Sequence, residues 1–448
     1  MPRDEYTSAV LDIEPHAQRR SSNAAPDDPF TILVLGAFSG AALKGGGAPI
    51  EIDLDNFDAV LARFAPQLSL HLPAAPLRLD FRALDDFHPD ALHRRVSLFR
   101  DVERAASAGP ESRAKGAAGN GGAPGNSGAG LLDSILGDLP AGSGAAAGTS
   151  RPTADPEDLR AFIDRALAAH LIPAESQEES RRRNRVEVVT TELMRAILHS
   201  REYQKLEALW RGVWFLVRRI DSGANVKIFI AETGDGDEIP SAPGELQWSV
   251  VLVNRAFDRS EESVATLSRF GRQAMLWNSA LLAEAEAPSE DDNSRAEWAR
   301  FRTAPEATHI GLALPRLIAR MPYGESGETT DEFPLEEMSS VPAHTEYLWM
   351  NPAFGLAYLL AAAFVNKGWN MVPGTVREID GLPLHVYREE GESVAKPCAE
   401  LLLHETDVEQ LLDAGIMPMA SIRDTDRVRL VRFQSIADPA RSLAGPWE

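Results

Sequence analysis

The sequence is divided by a stretch, residues 106–153, in which Gly, Ala, Ser and Pro replace most large side chains. Such a composition buries too little apolar surface to fold, so we predict a disordered, flexible linker there. The chain of 448 residues therefore has two apolar blocks, predicted as domains over 29–105 and 154–448, after a disordered polar segment at 1–28. Its fold has to be built from these two blocks, either apart or packed together.

The first block predicts a small α/β unit. Thr31–Leu35 is a continuous apolar run that ends at Gly36, which is typical of a buried strand. A helical pattern follows Asp55, and alternating apolar residues on both sides of Pro73–Pro76 predict a hairpin. Asp86 or His88 caps a further helix, with Leu92, Val96 and Phe99 on one face. The predicted order is β-α-β-β-α.

The second block predicts a larger mixed α/β domain, because helical and strand patterns alternate along it. Strands are predicted at Val226–Ile230, Trp248–Val253, Ile310–Leu314 and Val428–Leu430. Helices are predicted at Pro156–Ala169, Val186–Leu198, after Ser200, at Ser263–Glu286, from Asn351 to Gly368 and from a capping box at Thr406–Glu409. Trp210 and Trp214, four residues apart, are predicted to face the core.

Charge and cysteine usage exclude several classes of protein. The net charge of −22 argues against a nucleic-acid surface, which needs clustered basic residues. The longest apolar run, Ala353–Val365, is shorter than the roughly 20 residues that span a bilayer, so we predict no membrane insertion. One cysteine, Cys398, allows no disulfide within the chain. We expect a cytoplasmic protein.

No motif predicts catalysis, a cofactor or a metal, so we predict that the protein is not an enzyme. His88 and His93 lack the spacing of a metal site, and helix capping explains them more simply. The Gly-rich stretch after Gly36 lacks P-loop spacing, and the zincin pattern at His404-Glu405 fails at Val408. The acidic residues Asp331, Glu332, Glu336 and Glu337 are predicted to form an exposed loop rather than an acid–base pair.

Particular segments of the first block carry a family resemblance. They are Pro29–Gly40, Ile52–Asp58 and Phe81–Val96, which includes the motif Asp-Asp-Phe-His-Pro-Asp at 85–90. With these segments the block resembles the small subunit of the type VI secretion contractile sheath.

The second block resembles the large subunit of the same sheath. The resemblance rests on an ordered series of segments: Ile197–Gly212, Gly311–Arg316, Arg320–Gly324, Phe333–Glu337, Tyr347–Phe354, Gly381–His385 and Phe433–Ser435. The resemblance implies a structural component of the sheath, built as a fused small/large heterodimer. It further implies that the first block packs on the second through a shared sheet or a large apolar interface.

The resemblance also implies partners. In the family the heterodimer polymerises around a needle, neighbouring protomers exchange strands at sheet edges, and a AAA+ unfoldase grips a short helix near the start of the large subunit. Sheath subunits, baseplate or needle proteins and the unfoldase are therefore expected partners. The short amphipathic helix predicted at 131–139 lies at the corresponding place, with apolar residues Leu131, Leu132, Ile135, Leu136 and Leu139. Self-docking of this helix and docking on a partner both remain open.

Two further expectations depend on details of the second block. Arg316 and Arg320 are candidates for holding a carboxylate across an interface, with a salt bridge inside the domain as the alternative. The family's large subunit continues beyond the Phe-Gln-Ser motif, whereas this sequence ends at Glu448. We therefore expect a specialised end, cap or accessory unit, with a non-polymerising adaptor or regulator as the alternative and an enzyme of unknown type, such as a hydrolase in the second domain, as the least favoured one.

Overall fold

A computed structural model describes residues 27–40, 47–72, 76–107, 178–220, 225–233, 238–286 and 292–447. The strands are β1 (Phe30–Gly36), β2 (Ile50–Ile52), β3 (Gln67–His71), β4 (Pro76–Asp80), β5 (Val226–Glu232), β6 (Val250–Phe257), β7 (Ala280–Ala285), β8 (Ile310–Leu314), β9 (Leu317–Ile318), β10 (Trp349–Met350), β11 (Glu378–Ile379), β12 (Val386–Glu389), β13 (Glu392–Ala395), β14 (Ile416–Ser421) and β15 (Val428–Leu430). The α-helices are α1 (Phe57–Phe64), α2 (Pro89–Arg95), α3 (Ser97–Ser107), α4 (Glu178–Leu198), α5 (Arg201–Arg219), α6 (Glu261–Leu276), α7 (Asp292–Arg302), α8 (Ala353–Lys367) and α9 (Glu405–Asp413).

One sheet of nine strands contains strands from both blocks. Its order is β11-β15-β14-β8-β7-β6-β1-β5-β2. The six strands from β14 to β5 are parallel, and the outer strands β2, β15 and β11 pair antiparallel. In chain order, the parallel strands β5-β1-β6-β7-β8 read 2-1-3-4-5, which is a doubly wound arrangement. The first strand of that arrangement, β1, is supplied by the first block.

The two faces of the sheet bury two apolar clusters. On one face Ile32, Val34 and their neighbours pack against α5 and α8. On the other face Leu33 and Leu35 share a cluster with residues of α6 and α7. A strand that is buried on both faces reads as an unbroken apolar run, because neither face meets water. This explains why Thr31–Leu35 does not alternate, and it confirms the predicted buried strand.

The mixed α/β class is confirmed, but the predicted order of the first block is wrong in two places. A strand, β2, precedes α1, and an extended residue at Val96 (φ −83°, ψ 115°) separates α2 from α3. The observed order is therefore β-β-α-β-β-α-α. β2 was missed because it has three residues and its partner, β5, lies in the other block. The predicted hairpin is confirmed as β3 and β4.

The predicted helix at Ser263–Glu286 is also wrong in its second half. The helix α6 ends at Leu276, Asn278 adopts a left-handed conformation (φ 52°), and Ala280–Ala285 is the strand β7. The run Ala-Leu-Leu-Ala has good helix propensity, but pairing with β6 and β8 outweighs it. The apolar helix after Pro352 is confirmed as α8, and α9 begins at Glu405, slightly before the predicted capping box.

Candidate assembly site between the two blocks

The strand β1 fills a slot between β5 and β6, named here the β1 slot. It pairs with β5 from Phe30 to Gly36 and with β6 from Ile32 to Leu35. All seven residues of β1 are buried. Because both edges are paired and both faces are covered, the first block supplies the centre of the sheet of the second block. A Cβ atom on Gly36 would lie 2.8 Å from the Leu209 side chain, so α5 approaches the end of β1 closely.

Aromatic side chains of α5 bind the segments that flank β1. Trp210 Nε1 donates a hydrogen bond of 3.2 Å to the carbonyl of Phe38, and the two rings meet edge to face with centroids 5.0 Å apart. Phe57 of α1 lies against both Trp210 and Trp214. The prediction that Trp210 is a core residue is confirmed, since it is fully buried, and Trp214 is partly buried. The core they belong to is shared by the two blocks.

The motif at 85–90 forms a polar contact between the blocks. His88 caps α2 by accepting a hydrogen bond from the backbone N–H of Asp90 (3.2 Å), which confirms the predicted capping role. The Asp90 carboxylate accepts hydrogen bonds from the backbone N–H groups of Asp331 (3.0 Å) and Glu332 (3.1 Å). A carboxylate that receives two N–H groups fixes the path of the segment that carries them.

Further side chains of α2 extend this contact. The His93 ring stacks on Phe333 with centroids 4.8 Å apart, and Arg94 lies 3.5 Å from the Glu332 carboxylate. We name His88, Asp90, His93 and Arg94, together with residues 323–333, the polar clamp. It joins the first block to a long segment of the second block that has little regular structure of its own.

A buried ion network holds the clamp segment from behind. Arg320 pairs with both carboxylate oxygens of Glu337 (2.7 and 2.8 Å) and with Glu207 (2.9 Å). Arg211 also binds Glu207 (2.7 Å), and the backbone N–H of Tyr323 donates to Glu337 (2.7 Å). Burial alone would raise the pKa of Glu207, but Arg320 and Arg211 hold it below its usual value. Two cations therefore compensate two anions inside the core.

This network corrects one prediction. Glu337 was expected in an exposed acidic loop, but its side chain is 1% exposed. Asp331, Glu332 and Glu336 are at the surface or close to it. Sequence reasoning also missed Glu207. The available signal was its place between Leu206 and Trp210, on the apolar side of α5, with Arg211 one turn later.

Arg316 lies in a second and more exposed ion cluster. Its guanidinium binds both oxygens of Glu400, and His344 Nε2 lies 2.8 Å from the same carboxylate. Glu284, at the end of β7, is 3.8 Å from Arg316, and burial raises the pKa of Glu284 to about 7. Arg316 and Arg320 thus both pair with carboxylates of their own chain. A role for either arginine at an interface with another chain stays a prediction.

One arrangement in the second block has the outline of hydrolytic chemistry. His385 lies 2.8 Å from Ser326 Oγ through Nε2 and 2.8 Å from the Tyr347 hydroxyl through Nδ1. Each hydroxyl can donate to the imidazole or accept from it, because the ring hydrogen can lie on either nitrogen. In a catalytic triad a carboxylate at Nδ1 orients and stabilises the imidazole, whereas here Nδ1 faces a tyrosine hydroxyl, so the arrangement lacks the group that helps to activate the serine.

The other candidate sites considered in the sequence show no arrangement that indicates catalysis or metal binding within the described residues. Cys398 is buried, and burial raises the pKa of its thiol to about 12, which leaves it unreactive at neutral pH. Within the described ranges no cluster of three His, Cys, Asp or Glu side chains has the geometry to hold a metal. No helix in those ranges is both long enough and apolar enough to cross a bilayer. The predicted helices at 131–139 and 156–169 lie outside the described residues.

Comparison with known proteins matches each block to a separate family. Residues 12–106 match the family model for VipA of the type VI secretion system. Residues 182–235 and 282–437 match the VipB model, described as EvpB/VC_A0108, tail sheath N-terminal domain. The chain belongs to the type VI secretion sheath families. The VipA match contains β1 and the VipB match contains β5, whereas β6, on the other side of β1, lies between the two matched ranges of the VipB model.

A curated relative supports the second match. The type VI secretion system sheath protein TssC1 of Pseudomonas aeruginosa is 24% identical, and the match covers 54% of this chain. The same match covers 58% of the relative, so the chain spans little more than half of that protein's length.

Proposed function

We propose that the chain is a non-enzymatic building block of a type VI contractile sheath, in which the small and large subunits are joined covalently. The observation that carries the proposal is the position of β1, which pairs on both edges with strands of the second block, one of which, β5, lies inside the VipB match. Joining the two parts in one chain gives the first block a high effective concentration at its slot. The two parts would then enter a lattice as one unit in a fixed ratio of one to one.

The sheet edges are the proposed contacts with neighbouring sheath subunits. β2 and β11, the outermost strands of the nine-stranded sheet, have three and two residues. Each leaves one edge unpaired within the described part of the chain, and a strand from a neighbour can add there by β-augmentation. Short edge strands also limit pairing with unrelated chains, because they offer few backbone groups.

The place of the unit in the apparatus is a finer part of the proposal. We infer a specialised end, cap or accessory unit, with partners among sheath subunits and baseplate or needle proteins in the cytoplasm. The alternative is an adaptor or regulator that uses the same fused pair without polymerising. Electron microscopy of the purified chain, alone and with separate sheath subunits, distinguishes these roles. Tubes of the chain alone indicate a repeating unit, incorporation limited to tube ends indicates an end unit, and a monodisperse particle that joins no tube indicates an adaptor.

Recycling by a AAA+ unfoldase is proposed through the segment 131–139. The test is binding of the full chain to the unfoldase, compared with a variant that carries Leu132→Asp and Leu136→Asp. A matched control places the same charges in the neighbouring linker, at Ala118 and Gly122. Loss of binding in the first variant alone supports the proposal, whereas equal binding by all three proteins contradicts it.

A further inference from the structure

Three buried hydroxyl residues form a row across neighbouring strands. Thr31, Ser249 and Ser279 directly precede Ile32, Val250 and Ala280, which are paired with one another across β1, β6 and β7. Their exposed fractions are 0%, 3% and 0%. In the sequence each hydroxyl residue stands immediately before four apolar residues, a pattern that the three strands share. We name these three residues the hydroxyl row.

Thr31 and Ser249 are hydrogen-bonded to each other, and Ser279 is hydrogen-bonded to the backbone just before β6. The backbone N–H of Thr31 donates to Ser249 Oγ (3.0 Å), and the backbone N–H of Ser249 donates to Thr31 Oγ1 (2.9 Å). Thr31 Oγ1 also donates to the carbonyl of Gln247. Ser279 Oγ donates to the carbonyl of Trp248 (2.6 Å). Each of these hydrogen bonds therefore forms only when the neighbouring strands are paired in the observed register.

The apolar residues of the β1 slot do not by themselves fix the register of β1 against β6. Leu33 and Leu35 pack on one face of the sheet, and Ile32 and Val34 pack on the other. A shift of two residues along β6 keeps every side chain on its own face, so alternation alone permits it. After such a shift Thr31 stands beside Val251, and its hydroxyl is buried without the partners it now has. Burying an unpaired hydroxyl is costly, so the shifted register is disfavoured.

We infer that the hydroxyl row selects which strand enters the β1 slot and holds it in a single register. The inference rests on the proposed function, because it names the strand that the slot accepts. That strand is parallel and apolar, with Thr or Ser immediately before four apolar residues. The chain's own β1 meets this description, and a separate small subunit competes for the slot only if its first strand does so too.

A contact at the other end of β1 acts in the same direction. The Glu232 carboxylate, at the end of β5, accepts hydrogen bonds from the backbone N–H (3.1 Å) and the hydroxyl (2.9 Å) of Ser39. Removal of the Thr31 hydroxyl is therefore expected to populate the shifted register without making it dominant. Ser39→Ala keeps the backbone hydrogen bond to Glu232, so its effect on register should be smaller than that of Thr31→Val.

Cysteine pairs in the full chain measure the register directly. Cys398→Ala removes the native thiol. Leu33→Cys with Val251→Cys reports the observed register, in which these residues are partners. Leu33→Cys with Val253→Cys reports the shift of two residues. In the wild-type background we expect the disulfide only for the first pair. With Thr31→Val the second pair should form on the order of tenfold more than in the wild type, given the hydroxyl hydrogen bonds lost.

Two control variants distinguish selection of register from loss of stability. Thr31→Ser keeps the hydroxyl and should retain the wild-type pattern. Val34→Ala weakens β1 by leaving a cavity and should lower the melting temperature without forming the second pair. If Thr31→Val leaves the second pair unformed, or if Val34→Ala forms it equally, the inference is wrong.

The same experiment separates failure of the inference from failure of the proposed function. Absence of both disulfides in the wild-type background, together with separate elution of the two blocks after the linker is cut, would mean that β1 does not occupy the slot, which contradicts the fused-unit proposal. Should the Leu33 pairs fail to fold, Val34→Cys with Leu252→Cys reports the observed register on the opposite face, and Val34→Cys with Asn254→Cys reports the same shift of two residues. Hydroxyl-dependent selection predicts the second of these pairs only with Thr31→Val.

Discussion

The β1 slot and the polar clamp join the same two blocks by different physical means. β1 contributes an apolar strand whose backbone is paired on both sides. The clamp contributes one carboxylate, two stacked or capping histidines and a partly exposed ion pair. Burial of apolar area supplies most of the free energy of association, whereas polar contacts contribute less and mainly fix orientation. The difference indicates that the slot holds the blocks together and that the clamp sets the path of residues 323–333.

A charge in the slot should have the largest effect. Val34→Asp places a carboxylate on a fully buried position in the centre of the sheet, without a cation to pair with. We expect a loss of more than about 4 kcal/mol in the free energy of unfolding, enough to prevent isolation of a folded monomer. Leu54→Asp, at a position that is 55% exposed, is the matched control and should change little. If both variants fold equally well, as measured by circular dichroism and solubility, β1 does not lie in the core.

The ion network behind the clamp should come next. Arg320→Met leaves Glu337 buried without its cation, and we expect a loss of about 3–5 kcal/mol. Arg316→Met removes a partly exposed arginine from Glu400 and should cost about 0–1 kcal/mol. Urea denaturation of the two variants measures the difference. A larger loss of unfolding free energy for Arg316→Met than for Arg320→Met would show that burial does not determine how much these ion pairs contribute to stability.

Loss of the clamp carboxylate should have a smaller effect. Asp90→Asn replaces an acceptor of two backbone hydrogen bonds by an amide that can accept through one atom only. We expect a loss of about 1–2 kcal/mol and faster amide hydrogen exchange at 323–333, with exchange in β1 unchanged. Asp85→Asn, on an exposed residue of the same motif, is the control. Faster exchange in β1 as well would show that the two halves of the junction are one cooperative unit.

Acidification should destabilise the polar clamp before it destabilises the β1 slot. Burial lowers the pKa of His385, which holds Ser326, and of His199, which lies 3.8 Å from Glu337. Both imidazoles therefore bind a proton less readily in the folded chain than in the unfolded chain, where their pKa is about 6.5. Their contribution to stability is therefore present above about pH 6.5 and is lost as the pH falls through the lower folded pKa.

Hydrogen exchange at several pH values measures this loss, after correction for the intrinsic rate. Protection of residues 323–333 should fall on acidification while protection of β1 persists. His385→Gln should reduce the pH dependence, and His71→Gln, at an exposed position, should not. Equal loss of protection in residues 323–333 and in β1 would contradict the separation of the polar clamp from the β1 slot.

The sequence predicts the elements whose burial is local and misses those that depend on the other block. The apolar run at Thr31–Leu35 predicts a buried strand, and α8 is recognisable because it is apolar on nearly every side. The strand β2 is unrecognisable without β5, and β7 reads as a helix until its neighbours in the sheet are known. The same holds for the candidate site. Arg320 is identifiable as a bidentate donor, but its partner Glu337 lies in a segment with no pattern of its own.

Cleavage of the linker tests the central claim most directly. A protease site placed between Gly121 and Gly122, in the segment that joins the blocks, allows the purified full chain to be cut after folding. Because β1 is paired on both edges, we predict that the two fragments elute together at the mass of the uncut chain and separate only in denaturant. Elution of the first block on its own under native conditions would contradict the shared sheet and, with it, the proposed fused sheath unit.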